Sequence, residues 1–212
     1  SCFIWTTFAK LSLCSVDPPG WIHKPPECLE KRMLTGKRIR LRALEPTDLV
    51  HLTRWKNDPD VIENLLINTP SSINDEQRRY EELMKRPDEE HPFAIELNEQ
   101  NQWVLIGTTR FHTIDWKNRS VEFGVCIGEK EHWNKGYARD AVRLLLRHAF
   151  NNLNLNRVFL YVFETNERAR KMYTATGFVE EGRLRQDIYK NGRYLDVLVM
   201  SVLRNEWQDA EV

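Results

Sequence analysis

Residues 131–150 read EHWNKGYARDAVRLLLRHAF. A short polar turn centred on Lys135 and Gly136 runs into a stretch where Ala138, Ala141, Val142, Leu145 and Ala149 recur at helical spacing. That face packs on other structure, while Arg139, Asp140, Arg143 and Arg147 point away from it. The first turn of such a helix leaves several backbone N–H groups without intrahelical acceptors. Lys135 and Arg139 at this end oppose the helix dipole, at a cost of about 0.3–1 kcal/mol. A bound anion reverses the balance, because two or three charge-assisted hydrogen bonds contribute roughly 1.5–3 kcal/mol each. The competing account is a solvated helix start with a lysine beside it, and the turn alone does not separate the two. No GxxxxGK[ST] occurs, and a single glycine falls short of the GxGxxG of a dinucleotide site.

A second candidate lies just upstream. In SVEFGVCIG (120–128) Glu122, Gly124 and Cys126 share one face, opposite Val121, Phe123, Val125 and Ile127. A carboxylate beside a glycine on an open face can accept a proton through water. The alternative is a surface ion pair with Arg110 or Arg119. His112, His132 and His148 have no ligand spacing with cysteines or acids, so they are read as solvated or packing residues and no metal is expected.

The elements that would position these groups can be read along the chain. GKRIRLRAL (36–44) alternates as a half-buried strand. Pro46 suits a first helical position with Asp48 in the first turn, and Leu49, Leu52 and Trp55 line one face until NDP (57–59). A second helical piece is predicted around 60–67 and a third over 72–86, capped by Ser71 or Ser72. No proline follows Pro92, and 93–97, 103–115 and 120–128 read as three antiparallel strands. RVFLYVF (157–163) is too apolar for an edge strand. A helix over 166–175 stops at Gly177, and Asn191–Gly192 marks a hairpin between alternating strands. The order predicts an α+β domain with one mixed sheet of about seven strands, about four flanking helices and one strand–helix–strand crossover. The strand LDVLVMSVL could pair across a dimer or lie inside the sheet.

Composition sets the limits. The 212 residues are 41% hydrophobic and 29% charged, with 31 basic and 31 acidic side chains. Balanced charge gives no reason to expect nucleic acid or an acidic membrane as partner. Three of the four cysteines (Cys2, Cys14, Cys28) precede residue 33, as do Pro18, Pro19, Pro25 and Pro26. The opening SCFIWTTFAKLSLC lacks the basic start and small-residue cleavage site of a secretory signal. Residues 1–35 are therefore expected to be a poorly structured extension, in part upstream of a start at Met33, with the domain over 36–206 and a tail over 207–212. Cys126 alone in the domain suits a reducing cytoplasm.

EHWNKGYARDAV resembles the acetyl-CoA pyrophosphate loop of the GCN5-related N-acetyltransferases, Q/R-x-x-G-x-G/A followed by a helix. Trp133 stands at the first position, Gly136 at the fourth and Ala138 at the sixth. The tryptophan resembles the variant of the Rim-type ribosomal-protein and spermidine acetyltransferases. ETNERARKMYTATGF (164–178) is similar to the family's N-x-x-A-x-x-x-Y-x-x-x-G-F segment, with Asn166, Ala169, Tyr173, Gly177 and Phe178 in step. The resemblance implies an acyl-CoA N-acyltransferase fold and acetyl-CoA as co-substrate. It assigns acetyl-CoA contacts to Val125, Ile127, Trp133, Asn134, Lys135, Gly136, Tyr137, Ala138, Arg139, Asn166, Arg168, Ala169, Lys171 and Tyr173.

The resemblance further implies direct attack of an amine on the thioester, with pantetheine lying between two splayed strands. Positioning can supply about 7–11 kcal/mol, against 10²–10⁴-fold, roughly, for one general acid or base. Tyr173 is the expected general acid to the departing thiolate; the alternative is a core-edge tyrosine. Asn166 would meet the pantetheine arm, act as a helix N-cap, or both. Where related enzymes often carry a glutamate this chain has Tyr161, so Glu122 is the expected base, with Glu164 behind it. A weak base favours an α-amino group of pKa about 8 over an alkylamine near 10.4. The expected acceptor is accordingly a protein N-terminus, reached through a groove between the helices at 60–90 and the hairpin at 188–197. A small molecule (polyamine, aminoglycoside or amino sugar) is the alternative, and a non-catalytic acyl-CoA sensor is a second. A monomer and a homodimer are both open.

Overall fold

The computed structural model describes residues 34–209. Eight strands form one sheet: β1 (Leu34–Thr35), β2 (Ile39–Ala43), β3 (Phe93–Glu99), β4 (Gln102–Asp115), β5 (Ser120–Ile127), β6 (Arg157–Phe163), β7 (Val179–Lys190) and β8 (Arg193–Leu203). Their spatial order is β1-β2-β3-β4-β5-β6-β8-β7. That is one strand more than the sequence predicts, because Leu34–Thr35, within the segment read as extension, pairs with Arg40–Leu41. Residues 1–33 lie outside the described part.

The helices are α1 (Leu49–Lys56), α2 (Pro59–Ile62), α3 (Ile73–Met84), α4 (Tyr137–Arg147) and α5 (Glu167–Thr174). Ser72, not Ser71, caps α3, in a capping box with Asp75. The helical piece expected over 60–67 is a single turn capped by Asp58. The α4 face read from the sequence does pack on the sheet: Ala141, Val142, Leu145 and Ala149 join Ile39, Ile106, Phe111, Val121 and Phe123 in one core. Asp140 departs from the expected outward face. It is buried, and Nε of Arg38, the residue before β2, donates to its Oδ2 at 2.8 Å. This pair fixes α4 to the start of β2. Trp207, placed in the expected tail, packs on Phe150 with ring centroids 5.2 Å apart.

Every neighbouring strand pair is antiparallel except β5–β6. That parallel pairing requires the crossover through α4. It extends only from Ser120–Glu122 to Arg157–Phe159. Past it, β5 stays bonded to β4 and β6 stays bonded to β8, so the two strands splay and open the middle of the sheet. β8 is internal, between β6 and β7, which settles the reading left open for LDVLVMSVL. Asn191 and Gly192 take φ of 49° and 82°, the left-handed pair of a two-residue hairpin turn. Beside that turn the buried Lys190 donates to the carbonyls of Ile62 and Leu65 at 2.9 and 2.5 Å, pinning the segment after α2.

Candidate active site

The splay between β5 and β6 opens into a cleft of about 1360 Å³. Every site residue expected from the sequence lines it except Glu164, the reserve base. One half lies between the end of β5, the start of α4 and α5. The other lies under α1 and α3, against β4 and β5. The hairpin at 188–197 does not line this cleft; the groove expected against it is a separate, smaller opening of about 310 Å³ between residues 56–70 and Lys190–Asn191. The hairpin instead meets the protein at Lys190.

In the first half Gly136 is the N-cap of α4, with φ of 86° and no side chain to cap the amides of the first turn. Only glycine adopts that conformation cheaply. A Cβ there would lie 3.3 Å from Nη2 of Arg38 and 3.6 Å from Nη2 of Arg139. Two guanidinium groups therefore flank the uncapped amides, which is the chemistry a diphosphate needs. Arg38 was not among the expected residues. Its Nη1 donates to the Lys135 carbonyl at 3.2 Å, and its guanidinium lies 4.9 Å from the Tyr137 ring centroid. Trp133 at the first motif position donates its indole N–H to the Ile127 carbonyl at 2.8 Å, holding the turn to β5. Arg168 from α5 lies over the Trp133 ring at 4.4 Å. Asn134 also has a left-handed φ, 61°.

Val125 and Ile127 pack their side chains toward the core, along with Tyr137 and Ala169, and the backbone of this part of β5 has no strand partner on the cleft side. Asn166 accepts from the Ala169 N–H at 3.1 Å, so its N-cap role is realised. Lys171 at the rim pairs with Glu167 at 3.2 Å. Tyr173 is 7% exposed and packs edge-on to Phe123, with centroids 5.9 Å apart. Burial, with Cys126 adding to it, pushes its phenol above the ordinary range. The hydroxyl is thus held protonated, as a proton donor must be. Burial likewise pushes the Cys126 thiol up to about 11, which leaves it unreactive.

In the second half Glu122 has no Lys or Arg within ion-pair distance among the described residues; its nearest partner is Nε2 of His112 at 3.9 Å. Arg119, one proposed partner, bonds the Asn154 carbonyl at 2.6 Å instead. Partial burial raises the Glu122 carboxyl above its usual range, against the opposing pull of Arg110. His112 corrects the sequence reading, since it faces the site rather than solvent. A register shift sets His112 and Thr113 of β4 against Glu122 alone. Burial, then Arg110 and Arg86, push His112 down to about 4, so the ring is neutral. Nη2 of Arg110 lies 3.1 Å from its Nδ1. A guanidinium only donates, so Nδ1 accepts and Nε2 carries the hydrogen, directed at Glu122. His132 stacks edge-on with Tyr137 and His148 lies parallel to Phe111, both as packing residues. Tyr161 lines the cleft at 49% exposure, and Glu164 pairs with Arg183 away from it. The described residues contain no group of three His, Cys, Asp or Glu able to hold a metal, and no helix long and apolar enough to cross a membrane.

The Acetyltransferase (GNAT) domain family matches residues 38–179. The spermidine N(1)-acetyltransferase of Vibrio cholerae is 32% identical over 172 residues, 81% of this chain and 96% of that protein. A Bacillus subtilis protein named "Putative ribosomal N-acetyltransferase YdaF" is 31% identical over 189 residues, covering 82% and 95%. Among solved structures, the Vibrio cholerae spermidine N-acetyltransferase in complex with CoA and spermine superposes with a TM-score of 0.73 at 32% identity, over 79% of this chain and 96% of that one. With both motifs in place around the splayed strands, this chain belongs to the GNAT acetyltransferase family and is an N-acetyltransferase.

Proposed function

We propose that the protein moves an acetyl group from acetyl-CoA to a primary amine of modest basicity, of the α-amino type. The observation that carries this reading is the pairing, across one cleft, of a protonated, buried Tyr173 with Glu122, a carboxylate that no described Lys or Arg meets at ion-pair distance. Glu122 removes the proton from the ammonium, the amine nitrogen bonds to the thioester carbon, the C–S bond breaks, and Tyr173 supplies the proton to sulfur. The second proton on nitrogen restores the phenol, so one proton leaves through Glu122. The amides and guanidinium groups around Gly136 fit the diphosphate, and the unpartnered edge of β5 fits the pantetheine arm.

The names of the spermidine relatives favour a polyamine as a second reading. The lining of the acceptor half speaks against it. Its lining cations are Lys56, Arg78, Arg79, Arg86 and Arg110, against Asp60, Glu76, Glu82 and Glu122. Most are matched in place: Lys56 and Arg79 meet Glu76, Arg78 meets Asp75, Arg86 meets Glu90, Lys130 meets Asp60 and Lys85 meets Glu82. Among the described residues that leaves Glu122 as the one lining acid that no Lys or Arg engages, with Arg110 close by, and a single carboxylate beside a guanidinium offers a polycation little to bind. The deciding experiment is thiol release from acetyl-CoA with α-amino compounds, spermidine and spermine. Turnover with the α-amino compounds at higher kcat/KM is expected. Preference for the polyamines would replace this reading with the second, and acetyl-CoA binding without turnover on any amine would leave a non-catalytic sensor.

A further inference from the structure

Arg110 is a cation in search of a partner. It projects from β4 directly across from Gly124, on the face that carries Glu122. It lines the cleft, is half-buried, and no carboxylate lies within ion-pair distance of it among the described residues. Among the described residues its one polar contact is His112. Arg86, two residues past α3, lines the same wall. The nearest acids are already engaged. Glu90 is buried, accepts the Ile114 N–H at 2.9 Å through one oxygen, and meets Arg86 through the other at a loose 3.3 Å. Glu122 acts on Arg110 only at longer range. Burial first and the like charge of Arg86 second weaken Arg110's hold on its proton. A half-desolvated guanidinium without a counterion is costly.

We propose that Arg110, with Arg86, forms an oxyanion subsite for the acceptor, so that the preferred substrate is a small primary amine carrying a carboxylate or phosphate within a few bonds of its nitrogen. The inference rests on the acetyl-transfer reading and narrows its substrate class. Charge balance supports it. Arg86, Arg110, Glu90 and Glu122 sum to zero with neutral His112, and to +1 once Glu122 has taken the substrate's proton. An amine with one attached anion restores neutrality at that moment; a polyamine adds to the excess. Distance supports it too. Adjacent strands lie about 4.8 Å apart, so a group at Arg110 and a nitrogen beside Glu122 and Gly124 belong to one small molecule. His112, fixed between Arg110 and Glu122, couples the two ends.

The test compares α-amino acids with their carboxamides, and amino-sugar phosphates with the unphosphorylated sugars, as acceptors for wild type, Arg110→Gln and Arg110→Lys. Calorimetric binding of the N-acetylated products gives a readout independent of turnover. Wild type is expected to prefer the anionic member of a pair by ~10–100-fold in kcat/KM. That ratio is expected to fall toward one in Arg110→Gln and to recover in part in Arg110→Lys, with the KM for acetyl-CoA unmoved. Whichever pair shows the larger ratio identifies carboxylate or phosphate as the anion. Turnover with no anionic preference, or a preference indifferent to Arg110, overturns the subsite while leaving acetyl transfer intact. No turnover on any amine, with Arg110-dependent binding of the anionic products, overturns the catalytic reading and upholds the subsite.

Discussion

Tyr173 has two duties that one substitution separates. Its ring packs edge-on to Phe123 and 5.6 Å from the Phe178 centroid, and phenylalanine keeps both contacts. Its hydroxyl, held protonated by burial, is what the leaving thiolate requires. Tyr173→Phe should therefore fold normally and bind acetyl-CoA as wild type does, while kcat falls by about 10²-fold or more. Steady-state kinetics with the best amine checks this, and an unchanged kcat would return Tyr173 to the core. Glu122 works from the other side of the reacting atoms. Its carboxyl is raised by partial burial and not clamped by a strong base, so nothing locks it in the charged form and it can take up a proton. A carboxylate in a full salt bridge, such as Asp48 under Arg42, could not, since two hydrogen bonds from the guanidinium hold it low.

At the scale of elements, the turn before α4 is built around one backbone conformation. Gly136→Asp forces a side chain into left-handed φ at about 1–2 kcal/mol and sets a carboxylate against Arg38 and Arg139, where the diphosphate would sit. The expected result is a folded protein by circular dichroism, with acetyl-CoA binding by calorimetry weakened ~100-fold or more. Equal affinity would remove the diphosphate from this turn. The turn and helix were legible in the sequence because their signals are local: a glycine, a cation and a run of apolar residues within twenty positions. The Asn191–Gly192 hairpin was legible for the same reason. What escaped was contact between distant segments. Arg38 meets Asp140 across 102 positions, and nothing in the α4 pattern distinguishes a buried, paired aspartate from a solvated one. His112 escaped because it meets Glu122 only through the register in which β4 pairs with β5, from Gly107↔Ile127 to Phe111↔Phe123 and onward, and no local pattern announces that register. Lys190 escaped because its acceptors are backbone carbonyls, which carry no sequence signal.

For the whole molecule, burial of neutral histidine inside a charged cleft makes folding depend on pH. His112 titrates at about 4 when folded, against 6.5 as the ordinary value. Between those limits the unfolded chain binds the proton and the folded one does not, so stability falls as pH is lowered through this window. His148 is shifted in the same direction by burial, and the raised Glu122 opposes it. A second loss, below about pH 4, belongs to carboxylates held low by their partners: Asp48 by Arg42, and Glu76 by Lys56 and Ser71, in each case against the cost of burial. Their contribution is present above the ordinary carboxylate pKa and disappears as they are protonated. The two losses separate by mutation. Urea unfolding of His112→Asn should lose midpoint less steeply than wild type between pH 6.5 and 4, while both proteins fail alike below that. Parallel curves through the upper window would mean that His112 is solvated and titrates normally. The neutral ring would then no longer serve as the link between Arg110 and Glu122, and the geometry that ties the candidate base to the anion subsite would lose its middle member.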